Sequence, residues 1–332
     1  MKITSGLFPF VLVAVMLALF SCTQSTASPT ARQATADGKP KKTYADVIIG
    51  FAQLGAESEW RVANTKSIKE TADNLGIELR FSDAQQKQEK QIEAVRKFII
   101  QKVDVIGISP IVETGWTEVF QEAKAAGIPI ILVDRRADVP EDLYATYLGS
   151  NFLEEGRNAA RVMAKLVNGK ANLVELVGTL GSAPANDRYK GFREVLKDYP
   201  GMRIIGSESG DFTHARGKEV MAAFLQKYGN QINAVYAHND DMAIGAIEAV
   251  KAAGLKPGDL KIISVDGTRG GFQAMVDGWV QADVECNPLL GPQVFDIALK
   301  LANGEQVTKE QLTNESVFYP DKAAELLPTR QY

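Results

Sequence analysis

VDVIGISP (103–110) and GIPIILVDR (127–135), with a helix-like segment between them, are echoed by INAVYAHND (232–240) and LKIISVDG (260–267). In each half an apolar run ends in a polar or proline corner, and the next apolar run ends in Val-Asp. A strand–helix–strand unit used twice implies two similar α/β lobes. Strands alternating with helices predict parallel sheets covered on both faces. In such sheets ligands sit beyond the carboxyl ends of the strands, so two facing lobes would offer both Val-Asp corners to one cleft.

Outward from these segments the alternation continues. Val47 to Ala52, Glu78 to Ser82, Val105 to Ser109 and Ile130 to Asp134 read as strands, with helices over Trp60 to Leu75, Gln88 to Gln101 and Gly115 to Ala126. Gly76, Lys102 and Gly127 stop those helices. The second half places strands at Leu173 to Val177, Ile204 to Ser207, Ala234 to Ala237, Ile262 to Asp266 and Ala282 to Glu285, and helices around Ala160, Arg193, Met221, Ile247 and Phe272.

The 332 residues carry 37 basic and 41 acidic side chains, a net charge of −4, with no basic field for nucleic acid. The first 21 residues read as an export signal: Lys2 precedes an apolar run from Leu7 to Phe20, too short to span a bilayer comfortably. Leu19-Phe20-Ser21-Cys22 resembles a lipobox, which would make Cys22 a lipid anchor; a plain secretory cut near Ala27 is the alternative. Residues 22–43, rich in Ser, Thr, Ala, Gln and Lys, read as a flexible tether. The only other cysteine, Cys286, reads as a small buried hydrophobe, and neither a structural disulfide nor a cysteine metal site is expected.

In VYAHNDDMAIGA (235–246) an apolar strand runs straight into four polar side chains and then a helix. Asn239 and Asp240 both stand where a helix N-cap belongs. Asp240 is the better placed to cap, which leaves Asn239 for the cleft, with His238 and Asp241 shaping its rim. GTLGSAPAND (178–187) looks faintly like a phosphate-cradling loop, but lacks the Gly-Lys-Ser/Thr ending and reads as a turn that places Arg188 at the cleft. Trp116 either packs its helix on the sheet or faces the cleft. Neither His214 nor His238 has spaced metal-ligand partners, so both read as structural.

GFAQLGAESEWR, SDAQQKQEKQ, ILVDR, NDRYKGF, SGDFTHARGKEV, YAHNDDMAIGA, SVDG and ADVE, in that order, resemble the type I periplasmic sugar-binding proteins of ABC importers, in the ribose-binding group and nearest to its galactofuranose binders. The resemblance runs from Val47 to about Tyr319. It implies two Rossmann-like lobes, about 45–149 plus 287–314 and 150–286 plus 315–332, joined by a three-strand hinge near Gly149, Asn287 and Ser316. It also implies an exported monomer that needs no cofactor, binds one monosaccharide and delivers it to a membrane permease.

Sugar hydroxyls both donate and accept, and planar forked groups hold adjacent pairs of them. By their match to the family motifs Asp134, Arg135, Arg188, Asn239 and Asp266 would ring the hydroxyls, joined by Gln86, Asn151 and Glu285. Trp60 and Phe212 would face the apolar C–H surface, and Glu57, Ser58 and Arg61 come from the Glu-Ser-x-Trp-Arg segment. Glu59 departs from the smaller residue expected there, which bears on the exact sugar.

Three other readings compete. Asp134, Asp266 and Glu285 offer the paired carboxylates of a glycosidase, although Arg135 and Arg188 should lower their pKa values and disfavour a protonated acid. Sugar-responsive repressors share the two-lobed core, yet carry a DNA-binding headpiece where this chain has an export signal. A sugar sensor feeding a chemoreceptor or sensor kinase would use the same closed lobes.

Overall fold

Along β1 (Ile48–Gln53), Ile49 and Phe51 point to one face and Ala52 to the other, the period-two alternation of a strand buried on both sides. This computed structural model describes residues 40–332. After β1 the chain runs through α1 (Glu59–Leu75), β2 (Glu78–Asp83), α2 (Gln88–Ile100), β3 (Val105–Ile108), α3 (Thr117–Ala125), β4 (Ile130–Val133) and β5 (Thr146–Gly149).

It then crosses to a second layer: α4 (Phe152–Leu166), β6 (Lys170–Val177), α5 (Ala183–Leu196), β7 (Gly201–Ser209), α6 (His214–Tyr228), β8 (Ala234–Ala237), α7 (Asp240–Ala252), β9 (Lys261–Asp266), α8 (Arg269–Val276) and β10 (Val280–Glu285). It returns for α9 (Gly291–Ala302) and β11 (Glu310–Leu312), and crosses a third time into β12 (Val317–Phe318) and α10 (Pro320–Leu326).

The two sheets have the orders β11-β5-β4-β3-β1-β2 and β12-β10-β9-β8-β6-β7. Apart from the last strand, the second order is the first advanced by five. All pairings are parallel except β10 with β12. The repeated segments of the sequence are β3–β4 and β8–β9, so Asp134 follows β4 and Asp266 ends β9 at equivalent points of the two lobes. Two cores sandwich each sheet. In the first lobe Phe98 and Phe120 of α2 and α3 fill one face, and Ile68 of α1 with Phe295 of α9 the other. In the second, Phe152 and Phe192 of α4 and α5 oppose Met221, Met242 and Phe272 of α6, α7 and α8.

The expected strands and helices are present with shifted ends. β5, α9, β11, β12 and α10 come in addition, three of them strands of four residues or fewer. Trp116 is fully buried, donates through Nε1 to Val112 O (2.7 Å) and packs beside Phe120, so it is a packing residue. The expected leader, Cys22 and most of the expected tether lie outside the described residues. The end of the expected tether is not free: Lys42 N donates to Asn303 Oδ1 (2.8 Å), and Lys41 pairs with Glu305 (2.9 Å) beyond α9. Among the described residues no helix is long and apolar enough to cross a membrane.

Candidate functional site

Asp134 and Asp266 begin the site. Both leave their strands with positive φ, +64° and +130°, a conformation that costs an L-residue energy and is retained where the surroundings over-determine it. Six of the eight non-glycine residues with positive φ among the described residues, Gln85, Gln86, Asp134, Asp211, Phe212 and Asp266, lie around the cleft between the lobes, which locates the strain there.

The lobes are closed on each other. Glu59 N, at the start of α1, donates to Asp241 at the start of α7 (3.0 Å to Oδ2). On the other lip Asn186 Nδ2 donates to Glu113 (2.5 Å), and Glu113 N to Gly181 O (2.8 Å). Enclosed between them is a chamber of about 280 Å³, its solvent-open part included.

Three guanidinium and three carboxyl groups line it. Arg61, carried on α1, donates to Asp134 Oδ2 (2.5 Å) and Glu57 Oε1 (3.2 Å). Arg135 donates to Glu57 Oε1 (3.3 Å) and Ile111 O (3.1 Å), while its buried Nε has no hydrogen-bond partner. Arg188 donates to Glu155 (2.6 Å) and His238 O (2.5 Å) and lies 3.7 Å from Asp266 Oδ1. Its seat depends on the close crossing of α4 and α5: a Cβ on Gly156 would stand 2.4 Å from Arg188 O, and one on Gly191 2.1 Å from Leu153 O. Trp60, Phe152 and Phe212 supply the apolar walls, with Pro184 and Cys286. Trp60 is fixed by its Nε1 bond to Cys286 O (2.7 Å).

Burial would raise the Glu57 pKa, but Arg61 and Arg135 outweigh it and the carboxyl is lowered. Burial, reinforced by Arg61, lowers Arg135 to about 10, so it stays charged at neutral pH. Asp266 goes the other way. Burial pushes it well above its usual value against the pull of Arg188, and no hydrogen bond from the described residues reaches its carboxylate. The expectation that the arginines would keep these carboxyls acidic fails at Asp266, because its ion pair is too long to offset desolvation.

Glu57, Ser58, Trp60, Arg61, Asp134, Arg135, Arg188, Phe212, Asn239 and Asp266 all line the chamber. Three expected site residues do not. Glu285 accepts from Arg330, Tyr332 OH and Ser316 N (3.2 Å each), drawn off by the C-terminal segment. Asn151 is exposed and caps α4 through Glu154 N (3.1 Å). Gln86 stands outside the chamber wall, donating to Glu57 Oε2 (3.0 Å).

The VYAHNDDMAIGA corner also resolves differently. Asn239, extended at φ −157°, is the N-cap, accepting from Met242 N (3.1 Å) and donating to Phe212 O (3.0 Å). One N–H and one lone pair remain to it. Asp240 does not cap; it is buried against Ser264 and Thr268. His238 is no rim residue: it is fully buried beside Glu175 (3.2 Å), and burial lowers its pKa. Phe152, Pro184 and Cys286 line the chamber without having been expected there. For Phe152 the available signal was an aromatic next to Asn151 at the first crossover.

Among the described residues one cluster brings three metal-ligand atoms within 4.8 Å: Glu155, Cys286 and Glu315, at the crossovers. Arg188 holds Glu155, and Ser150 and Thr313 donate to Glu315. Burial, then the neighbouring Glu155, raises Glu315 to about 8. A carboxyl whose folded pKa exceeds its unfolded value favours the fold most at low pH, and that advantage is lost as pH rises through about 8. Glu315→Gln is therefore expected to flatten the fall of Tm between about pH 5 and 8 and to raise Tm at pH 8; thermal unfolding across that range checks it, and an unchanged slope would remove Glu315 as its source.

The chain belongs to the periplasmic binding protein family, whose domain model matches residues 49–306. Its members bind solutes outside the cytoplasmic membrane, and this chain is a binding protein, not an enzyme. It is 46% identical to the galactofuranose-binding protein YtfQ of Escherichia coli K12 over 86% of this chain and 92% of that one. A Mycobacterium smegmatis structure in complex with β-D-fucofuranose is 51% identical, with a TM-score of 0.84 over 86% of this chain and 95% of the other. The binding protein of an arabinose ABC transporter from Shewanella sp. ANA-3, bound to α- and β-L-arabinofuranose, is 45% identical, with a TM-score of 0.83 over the same shares.

Proposed function

We propose that the protein captures a neutral monosaccharide in its furanose form between the lobes and hands it to an ABC permease, held at the membrane by lipid on Cys22. The observation that carries this reading is the buried Asp266 carboxylate, which no hydrogen bond from the described residues reaches, in one small chamber lined also by Arg61, Arg135, Arg188 and Asn239. A hydroxyl can donate to the carboxylate and accept from a neighbouring N–H at the same time. Equal numbers of guanidinium and carboxyl groups favour a neutral ligand over a phosphate or a carboxylate. The furanose ligands of its relatives support the furanose ring form.

On this reading Asp134, Arg61 and Arg135 grip from the lobe of residues 45–149 and 287–314. Arg188, Asn239 and Asp266 grip from the lobe of residues 150–286 and 315–332. Sugar held by one lobe alone leaves hydroxyls unpaired, so it favours the closed state.

Thermal unfolding with arabinose, galactose, fucose, ribose, fructose and glucose, together with methyl galactofuranoside, tests the reading. Ligand at a hundredfold over its Kd adds about 2.7 kcal/mol, and a raised midpoint with at least one sugar is expected. No shift with any of them, in protein stripped of copurified ligand, overturns it.

A further inference from the structure

Outside the sugar chamber the closed lobes leave a second, larger cavity of about 880 Å³, its solvent-open part included. Gln85, Gln86 and Ile111 line it from one lobe and Thr179, Asp211 and Thr213 from the other. Its floor is the chamber's wall. Glu57 faces both spaces, Phe212 faces inward between Asp211 and Thr213, and the Ile111 carbonyl receives Arg135.

We propose that this mouth is a second subsite for the substituent of a furanoside, a further sugar or polyol joined to the ring in the chamber, so that the receptor takes furanosyl glycosides as well as free sugars. The proposal rests on the reading of the chamber as a sugar site. The mouth's lining suits a hydroxylated group and disfavours an anionic one: amides and hydroxyls that both donate and accept, two carboxylates (Glu57 and Asp211), two apolar side chains (Ala56 and Ile111) and no cation. Both lobes contribute, so the subsite exists only when they are closed.

Its edges are strained in a way that ordinary loops are not. Gln85 and Gln86 on one side (φ +54° and +61°) and Asp211 and Phe212 on the other (φ +52° and +60°) are successive left-handed residues. Such strain collects at ligand clamps. Glu57 lines both spaces, and the exposed Gln86 side chain, which lines the mouth, is held to its Oε2 by one 3.0 Å bond. With Gln86 swung toward solvent Glu57 stays bound to Arg61 and Arg135, and a substituent carried past Glu57 would enter the mouth.

The test compares free sugars, methyl β-D-galactofuranoside and a β-galactofuranosyl disaccharide by calorimetry, on the protein and on Thr179→Trp. Thr179 lines the mouth and not the chamber, so the variant should bind the free sugar as before, which also shows that it is folded. The disaccharide is expected to bind the protein within about tenfold of the free sugar and to lose at least tenfold in Thr179→Trp. A protein that binds free sugar but not the disaccharide, or disaccharide affinity untouched by the tryptophan, overturns the subsite. Binding of none of the sugars overturns the chamber reading and the subsite together.

Discussion

Arg188→Ala is expected to cost about 3–5 kcal/mol of folding stability, the penalty of leaving a buried partner charge uncompensated, and to weaken sugar binding at least tenfold. The side chain is 2% exposed and does two jobs. Its Nε and Nη1 hold Glu155 and the His238 carbonyl, tying α5 to α4 and to the end of β8, while the guanidinium also forms part of the chamber wall. Without it Glu155 is a buried carboxylate that has lost its guanidinium partner and keeps only Glu315 and Cys286 beside it. Burial raises the Glu155 pKa even with Arg188 beside it. In the variant that pKa should climb further, so the loss should be smaller at pH 5 than at pH 8. Arg188→Lys separates the two roles: it restores the charge but not the fork, so stability should recover more than affinity. Urea unfolding at the two pH values and calorimetry check this, and a variant as stable as the parent at pH 8 would show that the α4–α5 crossing does not need the ion pair.

The repeat was enough to bring Asp134 and Asp266 to the chamber, because strand alternation and a shared corner are local and survive in one sequence, whereas Arg135 and Asn239 came from the resemblance to the family's motifs. What sequence could not show is decided by contacts between distant segments. Glu285 ends a strand just as Asp266 does, one strand over in the same sheet. Its neighbour, however, is the edge strand β12 and the tail beyond it, whose Arg330 and Tyr332 take the carboxylate. Cys286 and Phe152 sit at two of the crossovers and face the chamber only because the lobes close. The error between Asn239 and Asp240 has another origin: which of two adjacent capping residues takes the extended conformation depends on where β8 ends against β9, and Ser264 and Thr268 claim Asp240 from across the sheet.

On the proposed reading Asp266 makes closure conditional on sugar, and Asp266→Asn should therefore have two opposite effects. In the closed form Asp266 is 4% exposed, and its carboxylate is unbonded and 3.7 Å from Arg188. Closing on an empty chamber thus strips water from an ionised group and returns nothing, whereas closing on a sugar supplies hydroxyl donors. That difference is the differential affinity that shifts the equilibrium. The asparagine gives up the charge-assisted bonds, about 1.5–3 kcal/mol, so affinity should fall by roughly tenfold or more. It also removes the charge whose burial opposed closing, since a neutral amide is cheaper to desolvate than a carboxylate. The sugar-free variant should accordingly populate the closed form more than the parent, visible as a smaller radius of gyration or as higher energy transfer between dyes on the two lobes.

Acid should do the same to the parent. Burial raises Asp266 well above its usual value and Asp241 to about 7 in the closed form. The closed form therefore binds protons that the open, solvated form releases, and its population should grow as pH falls below about 7. In Asp266→Asn that growth should shrink to the part owed to Asp241 and the other lip carboxyls that burial raises, Glu59 and Glu113. A sugar-free variant as open as the parent, with the same response to pH, would mean that Asp266 recognises sugar without controlling closure.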